Sequence, residues 1–381
     1  MTLRAGSRVS WVPGELGRWG ALRVGLGSAR MRLALSLGYF GSDRPVGEQA
    51  ADALALVQRA EQRGFESVWA SEAYGSDAVS VLSWLAGQTR SIGLGSAVLQ
   101  VPARSAAATA MTAATLDGIS GGRFRLGLGV SGPQVSQGWH GVQFAAPLAR
   151  TRAYVADVRR ALAREPGLHG SSRLRLALPA PRPDLPVLLA AVGPKNVELA
   201  GEIADGWLPA FLVPEAAGEQ LEALARGRAR CELPGGADRP LDVVATVTAV
   251  LVEAGADLDD PAVAAPLRAH TALYLGGMGS REKNVYAEQA ARLGHGAAAA
   301  AVQDAYLAGD RARAAALVPT DLLRAACLLG TAAELRERLG AYAAAGVTTL
   351  AVAPMATTLH ERVQERLALL DALAPTTSPT A

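Results

Sequence analysis

The stretch FRLGLGVSGPQVSQGWHG, residues 124–141, decides between two folds for this chain. Within it, residues 127–132 spell G-x-G-x-x-G, the fingerprint with which a Rossmann fold binds a dinucleotide. The fingerprint functions where a helix begins at its last glycine and an acidic residue follows about 20 positions later. Here glycine and proline crowd the segment after Gly132, so no helix is expected to begin there, and residues 133–156 contain no Asp or Glu. The sequence therefore argues against a Rossmann fold.

The rest of the chain places the same stretch in another fold, because apolar runs and helical segments alternate along it. Runs typical of buried parallel strands occupy residues 32–40, 67–73, 92–100, 124–130, 185–192, 206–211, 241–252 and 348–355. Helical periodicity follows at residues 47–64, 77–89, 105–120, 148–163, 196–204, 215–230, within 255–342, and at 359–374. Eight strand–helix units in a row predict an α/β protein with a (β/α)8 TIM barrel. The long helix-rich stretch predicts helical insertions in the C-terminal half.

We expect the barrel to form a single domain over residues 31–381, preceded by an extension. Residues 1–30 contain five arginines, one acidic residue and no sustained apolar run. They therefore lack the apolar core of a secretory signal, and we interpret them as a disordered tail or a mis-assigned start. No run approaches 18 apolar residues, and the formal net charge is only +2. We expect neither a membrane nor a nucleic acid as partner.

The cysteines and histidines point to neither disulfides nor a metal. Cys231 and Cys327 lie far apart without companions, which is typical of reduced thiols in the cytoplasm. None of the five histidines shows the spacing of a metal-binding motif. The expectation is a cytoplasmic protein without a metal site.

In a barrel of this kind the active site forms from the loops that follow the strands. The stretch from Gly129 to Gly141 becomes a long loop over the barrel mouth, in which Trp139 and His140 can serve the pocket. A mobile surface loop with a chance Trp–His pair is the alternative.

Glu72 ends a buried strand, where an unpaired carboxylate is costly. It is expected either to accept hydrogen bonds or to donate a proton with a raised pKa.

A second candidate site is the turn between the fifth strand and its helix. Gly193 and Pro194 form the turn, and Lys195 and Asn196 open the helix. A helix N-terminus beside a lysine can bind an anion such as phosphate. An ordinary helix start with a solvent-exposed lysine is the alternative.

Several motifs resemble one superfamily. LGSAVLQVPAR (94–104), MTAATLDGISGGRFRLGLGVSG (111–132), GWHG (138–141) and AAVGPKNVELAGEIADGWLP (190–209) resemble the luciferase-like monooxygenases. Within that superfamily they resemble the deazaflavin (coenzyme F420)-dependent oxidoreductases. The resemblance extends from Met31 to about residue 212 and then weakens.

The resemblance implies where the cofactor and the substrate bind. A cis peptide bond is implied at Ala97–Val98 beneath the deazaflavin ring, with a plain strand end as the alternative. The ring is expected to lie against the backbone at 129–131. The cofactor-binding residues so implied are Tyr39, Ser71, Glu72, Ser96, Ala97, Val98, Gly129, Val130, Ser131, Gly193, Pro194, Lys195 and Asn196. The substrate pocket is expected at Phe40, Tyr74, Trp139 and Trp207; for Trp69 and Trp207 a place in the core is an equal alternative.

The resemblance also implies the reaction. Related sugar-phosphate dehydrogenases carry a catalytic His where this chain has Ala73, and an acid where it has Pro133. We therefore expect F420-dependent reduction of a C=C or C=N bond, with His140 or Glu72 delivering the proton. The substrate is a small molecule or a dehydroamino-acid residue of a modified peptide, and a homodimer is expected from relatives. An FMN-dependent monooxygenase and a non-catalytic cofactor-binding barrel are the alternatives.

Overall fold

The structure is a computed structural model of the 381-residue chain. It describes residues 30–170, 173–179, 182, 184–278, 281, 284–358 and 362–374. The interpretation of residues 1–30 as an extension therefore falls, apart from Arg30, outside the described residues.

Parallel strands close into a barrel, as the eight strand–helix units predicted. The strands are β1 (Arg32–Gly38), β2 (Ser67–Ala70), β3 (Gly93–Ser96), β4 (Leu99–Gln100), β5 (Phe124–Gly129), β6 (Val187–Ala190), β7 (Gly206–Leu208), β8 (Asp242–Leu251), β9 (Leu328–Gly330) and β10 (Thr349–Pro354). β3 and its continuation β4 both pair with β5, and β8 pairs with β10, which pairs with β1 and closes the ring. The predicted TIM barrel is confirmed. β9 was not predicted, because its three residues lie inside a helix-rich stretch and pair outside the ring with β8.

Helices follow the strands at the predicted places. They are α1 (Val46–Gln62), α2 (Ala78–Gln88), α3 (Ala106–Ile119), α4 (Pro147–Leu162), α5 (Pro194–Ile203), α6 (Gly218–Arg228), α7 (Ala265–Ala272), α8 (Val285–Arg292), α9 (Gly296–Leu307), α10 (Arg311–Ala316), α11 (Thr320–Ala326), α12 (Ala332–Ala344) and α13 (Arg362–Leu373). Side-chain caps fix several starts: Asp77 accepts the backbone N–H of Ser80, and Ser105 that of Ala108. Helices α7–α11 are the predicted insertion and pack around a cluster of their own. Among the described residues, no helix has the length and apolar character needed to span a membrane.

Strand alternation sorts the large side chains into two layers. Trp69 and Leu208 point into the barrel, where they pack with Ala34 and Leu188. Trp207, one residue before Leu208, points outward into the main core between strands and helices. Successive strand residues face opposite sides of a sheet, so the two tryptophans belong to different layers although both are fully buried.

The structure corrects one expectation about residues 124–141. A short π-helical turn, Gln134–Trp139, begins soon after Gly132, although no helix was expected there. Pro133 has the helical dihedrals φ −55° and ψ −40°, and its ring holds φ near the value that a helix needs. The turn is six residues long, much shorter than the crossover helix of a Rossmann fold.

Two glycines of the G-x-G-x-x-G pattern are required by barrel packing. A Cβ on Gly127 would lie 1.9 Å from the carbonyl oxygen of Ser96, and one on Gly129 would lie 2.7 Å from Val98 Cγ2. Both positions therefore need glycine for close packing of β5 against the neighbouring strand. Close contacts between neighbouring barrel strands therefore explain both glycines, and phosphate binding is not needed to explain the motif.

Candidate active site

The loops after β1 and β2 are joined at the barrel mouth. The backbone N–H of Phe40 donates to Ser76 Oγ at 2.9 Å, and the N–H of Ser76 donates to the Phe40 carbonyl at 3.0 Å. The rings of Tyr39 and Tyr74 meet edge to face with centroids 5.9 Å apart. Burial, together with the neighbouring Tyr74 hydroxyl, raises the pKa of Tyr39 to about 12. The Tyr39 hydroxyl therefore stays protonated to a higher pH than that of an ordinary tyrosine.

The floor of the mouth is formed by small apolar side chains. The Ala97–Val98 peptide bond is cis, as the resemblance implied, and lies between β3 and β4. Ala97, Val98 and Ala190 are partly buried and pack on the cluster that fills the barrel interior. These three side chains can accept a flat ring because contact with them desolvates no polar group.

The predicted contact of the Ser96 side chain with the cofactor is corrected. The side chain of Ser96 is fully buried; its hydroxyl donates to the Gly127 carbonyl and accepts the Gly127 N–H, both at 2.9 Å. It bridges β3 and β5 and does not reach the mouth. Val98 Cγ2 lies 2.7 Å from the position that a Cβ on Gly129 would take; the contact of a ring with the backbone at 129–131 stays a prediction. Further along this loop, Val130 is half-buried, and Ser131 is exposed with φ +60°.

Glu72 accepts hydrogen bonds from neighbours, the first of the two predicted outcomes. Its oxygens accept Arg104 Nη1 and Nη2 at 2.6 and 2.8 Å, and one of them accepts the Gln100 backbone N–H at 3.3 Å. The hydrogen bond to Glu72 raises the pKa of the Arg104 guanidinium. Arg104 Nη2 also donates to Asp77 Oδ1 at 2.7 Å. Burial raises the pKa of Asp77, but hydrogen bonds from Ser80 and the charge of Arg104 outweigh it, and the net shift is downward. A carboxylate held by two guanidinium N–H groups is a poor candidate for the proton donor.

His140 and Trp139 differ in their surroundings. His140 is half-buried, and its Nε2 lies 3.2 Å from Oε1 of the buried Gln100. Trp139 is 65% exposed; its contact with substrate stays a prediction. The structure therefore brings His140, Gln100 and Glu72 into one polar group beside the apolar floor.

Trp207, predicted in the substrate pocket, does not reach it. Its side chain is fully buried, and its Nε1 donates to the Ala191 carbonyl at 2.9 Å. The alternative of a core position, which the sequence left open, is the observed one for both Trp207 and Trp69.

The predicted anion site lies at the start of α5. Gly193 precedes the helix and supplies no side-chain cap, and Pro194 occupies its first turn. The exposed Lys195 lines a surface cleft of about 280 Å³ between α4 and α5. Within the described part of the chain, no carboxylate lies within ion-pair distance of its ammonium, whereas Arg152 and Arg230 in the same cleft both pair with Glu202. The Asn196 N–H is taken by the Gly193 carbonyl at 2.9 Å.

An aromatic cluster that the sequence did not reveal stands near the mouth. Phe211, three residues after β7, stacks on Tyr274 with centroids 5.5 Å apart, and Tyr286 meets both edge-on. His270 lies 4.9 Å from Tyr274, and burial lowers its pKa to about 4. Because Phe211 follows β7, the cluster lies at the same end of the barrel as the loop after β1. Of these residues, only Phe211 lies in a predicted strand (206–211); the others lie in the helical insertion.

The described residues contain no group of three or more His, Cys, Asp or Glu side chains arranged to hold a metal ion.

Comparisons with known proteins identify the family. The family described as luciferase-like monooxygenase matches residues 31–349. A Mycobacterium tuberculosis protein, whose name places it among the coenzyme F420-dependent oxidoreductases, is 40% identical over 343 residues, covering 85% of this chain and 95% of that protein. The 5,10-methylenetetrahydromethanopterin reductase of Archaeoglobus fulgidus is 30% identical over 77% of this chain and 86% of its own. The solved coenzyme F420-dependent tetrahydromethanopterin reductase of Methanopyrus kandleri superposes with a TM-score of 0.70 at 22% identity, covering 91% of this chain and 98% of its own.

The chain is a (β/α)8-barrel protein of the oxidoreductase class. It belongs to the luciferase-like monooxygenase family, which confirms the resemblance of its motifs.

Proposed function

We propose that this chain is a coenzyme F420-dependent oxidoreductase that reduces a C=C or C=N bond by hydride transfer. The observation that carries the proposal is the apolar floor at Ala97–Val98 with the His140 group beside it. The 40% identity over most of both chains to a protein named for F420 supports the same cofactor.

The residues present fit a deazaflavin with an anionic side chain. A flat ring would rest on Ala97, Val98 and Ala190, whose small apolar side chains form the floor. The phosphate would bind at Lys195, an exposed lysine without an acidic partner among the described residues, at a helix start that favours anions. Further cofactor contacts proposed at the strand ends are Tyr39, Ser71, Gly129, Val130, Ser131, Gly193, Pro194 and Asn196.

The bound deazaflavin would supply a hydride, and the protein supplies position and a proton. Glu72 is committed to Arg104, so His140 is the proposed proton donor. Tyr39 and Tyr74, whose rings meet edge to face, would flank one side of the mouth. The role of Glu72 is to hold the loop that carries Gln100.

The proposed substrate is a small molecule or a dehydroamino-acid residue of a modified peptide. Ala73 and Pro133 stand where related sugar-phosphate dehydrogenases carry catalytic residues, which argues against sugar-phosphate oxidation. Phe40, Tyr74, Trp139 and the aromatic cluster would face the substrate. A cytoplasmic location and a homodimer belong to the same proposal; light scattering of the purified chain tests the dimer.

The cofactor is tested by binding and turnover in parallel. Purified protein is titrated with F420 and with FMN, and then assayed with each reduced cofactor on a panel of enones, imines and dehydropeptides, with and without dioxygen. We expect F420 to bind more tightly and turnover to proceed without oxygen. Product that forms only with reduced FMN and dioxygen would establish the monooxygenase instead. Tight F420 binding without turnover across the panel would favour the non-catalytic barrel.

A further inference from the structure

Gln100 connects Glu72 with His140 and has one possible orientation. The side chain follows the cis bond in β4 and is only 2% exposed. Its Nε2 donates to the Ala73 carbonyl at 2.9 Å, and its backbone N–H donates to Glu72 at 3.3 Å. A carbonyl oxygen only accepts, so the amide must turn its NH2 toward Ala73. Oε1 is therefore the atom that faces His140 Nε2, at 3.2 Å.

This orientation determines which nitrogen of His140 carries a proton. Gln100 Oε1 accepts and cannot donate, so Nε2 must bear the hydrogen in both the neutral and the protonated imidazole. The proton that His140 gains and loses is then held at Nδ1. The ion pair of Glu72 with Arg104, and the hydrogen bond of Arg104 to Asp77, keep the β2 loop and β4 in register around Gln100.

We propose that Gln100 is a positioning residue that fixes the Nε2–H tautomer of His140 and makes Nδ1 the atom that delivers the proton. The proposal rests on the proposed function. In the reduction, the π bond of the substrate breaks; one of its atoms receives the hydride and the other the proton from Nδ1. A bound reduced deazaflavin would supply the hydride with its two electrons, and the His140 imidazolium would become neutral while its Nε2–H keeps its hydrogen bond to Gln100 Oε1. Water then returns a proton to Nδ1.

The tautomer is measured without cofactor or substrate. Nitrogen-15 NMR of histidine-labelled protein at alkaline pH reports which ring nitrogen is protonated, and the spectrum of His140→Gln assigns the signal. We expect Nε2–H in the native chain and a mixture of tautomers in Gln100→Met, which keeps length but loses the acceptor. Gln100→Glu, whose oxygens still accept, is expected to retain Nε2–H. A native His140 protonated at Nδ1, or an unchanged signal in Gln100→Met, would overturn the proposal.

Kinetics show whether Gln100 acts through His140. We expect Gln100→Met to slow turnover about tenfold with unchanged F420 affinity, and to have no further effect in the His140→Phe background. The control Gln137→Met, an exposed position in the loop before His140, is expected to match the native chain. Equal slowing by Gln100→Met in both backgrounds would contradict a role through His140. If the native chain neither binds F420 nor turns over, the proposed function fails while the tautomer result stands.

Discussion

Replacing Glu72 with Gln separates a structural role of this carboxylate from a role as proton donor. The native side chain is 11% exposed and accepts two Arg104 N–H groups and one backbone N–H. Gln offers one accepting oxygen and turns its NH2 toward a guanidinium that can only donate. Hydrogen bonds to charged groups contribute about 1.5–3 kcal/mol each, and Asp77 remains as a second partner for Arg104 at 2.7 Å. We expect E72Q to lower the free energy of unfolding by about 2 kcal/mol.

Urea unfolding and steady-state rates distinguish the two roles. The matched control is Glu66→Gln, which breaks the ion pair with Arg125 beside the start of β2, at the opposite end of the barrel from the mouth. E66Q is expected to lose similar stability and keep native turnover. E72Q is expected to slow turnover less than tenfold and to keep the acid-limb dependence of the native rate on pH. Native stability in E72Q with a rate loss of 100-fold or more would show that Glu72 is itself the proton donor.

Three further changes test other parts of the site. Because burial lowers the pKa of His270 to about 4, below the usual value near 6.5, its contribution to stability is complete above pH 6.5 and is lost as the pH falls toward 4. We expect the native chain to lose about 2 kcal/mol more than His270→Phe between pH 7 and pH 5 in urea unfolding; equal losses would refute this. Gly129→Ala is expected to cost about 1–3 kcal/mol, because the new Cβ would lie 2.7 Å from the stiff side chain of Val98; an unchanged melting temperature would contradict the close contact. Lys195→Gln is expected to weaken F420 binding about tenfold and to flatten its salt dependence; native affinity and salt dependence would place the phosphate elsewhere.

The barrel was predictable because its strands and helices are short local patterns that repeat. Gly127 and Gly129 match the Rossmann fingerprint, but the residues that follow Gly132 argued against that fold from the sequence alone. The π-helical turn at Gln134–Trp139 was missed because glycine content argued against any helix, although Pro133 is well suited to begin one. β9 was missed because only three residues, Leu328–Gly330, form it within a helix-rich stretch.

The site was predictable in position but not in detail. Strand ends placed Glu72 and His140 at the mouth, but not the Arg104 partner or the Gln100 connection, which join residues 28 to 40 positions apart. Trp207 takes the core position that the sequence left open, because its side chain faces outward from β7. Ser96 was misassigned because its hydroxyl bonds the Gly127 backbone of β5, a pairing that depends on the register between strands. The aromatic cluster lies beyond prediction because a helical insertion brings Tyr274 and Tyr286 to Phe211.

The most direct test of the account follows the hydride itself. Reduced F420 carrying deuterium at carbon 5 is incubated with the protein and an accepted substrate without oxygen, and the product is examined by mass spectrometry and NMR. The account predicts a product with one deuterium from the cofactor on carbon and a second hydrogen from solvent. It also predicts that the His140→Gln variant forms this product at least 100 times more slowly. Product without deuterium from the cofactor, or product that requires dioxygen, would contradict it.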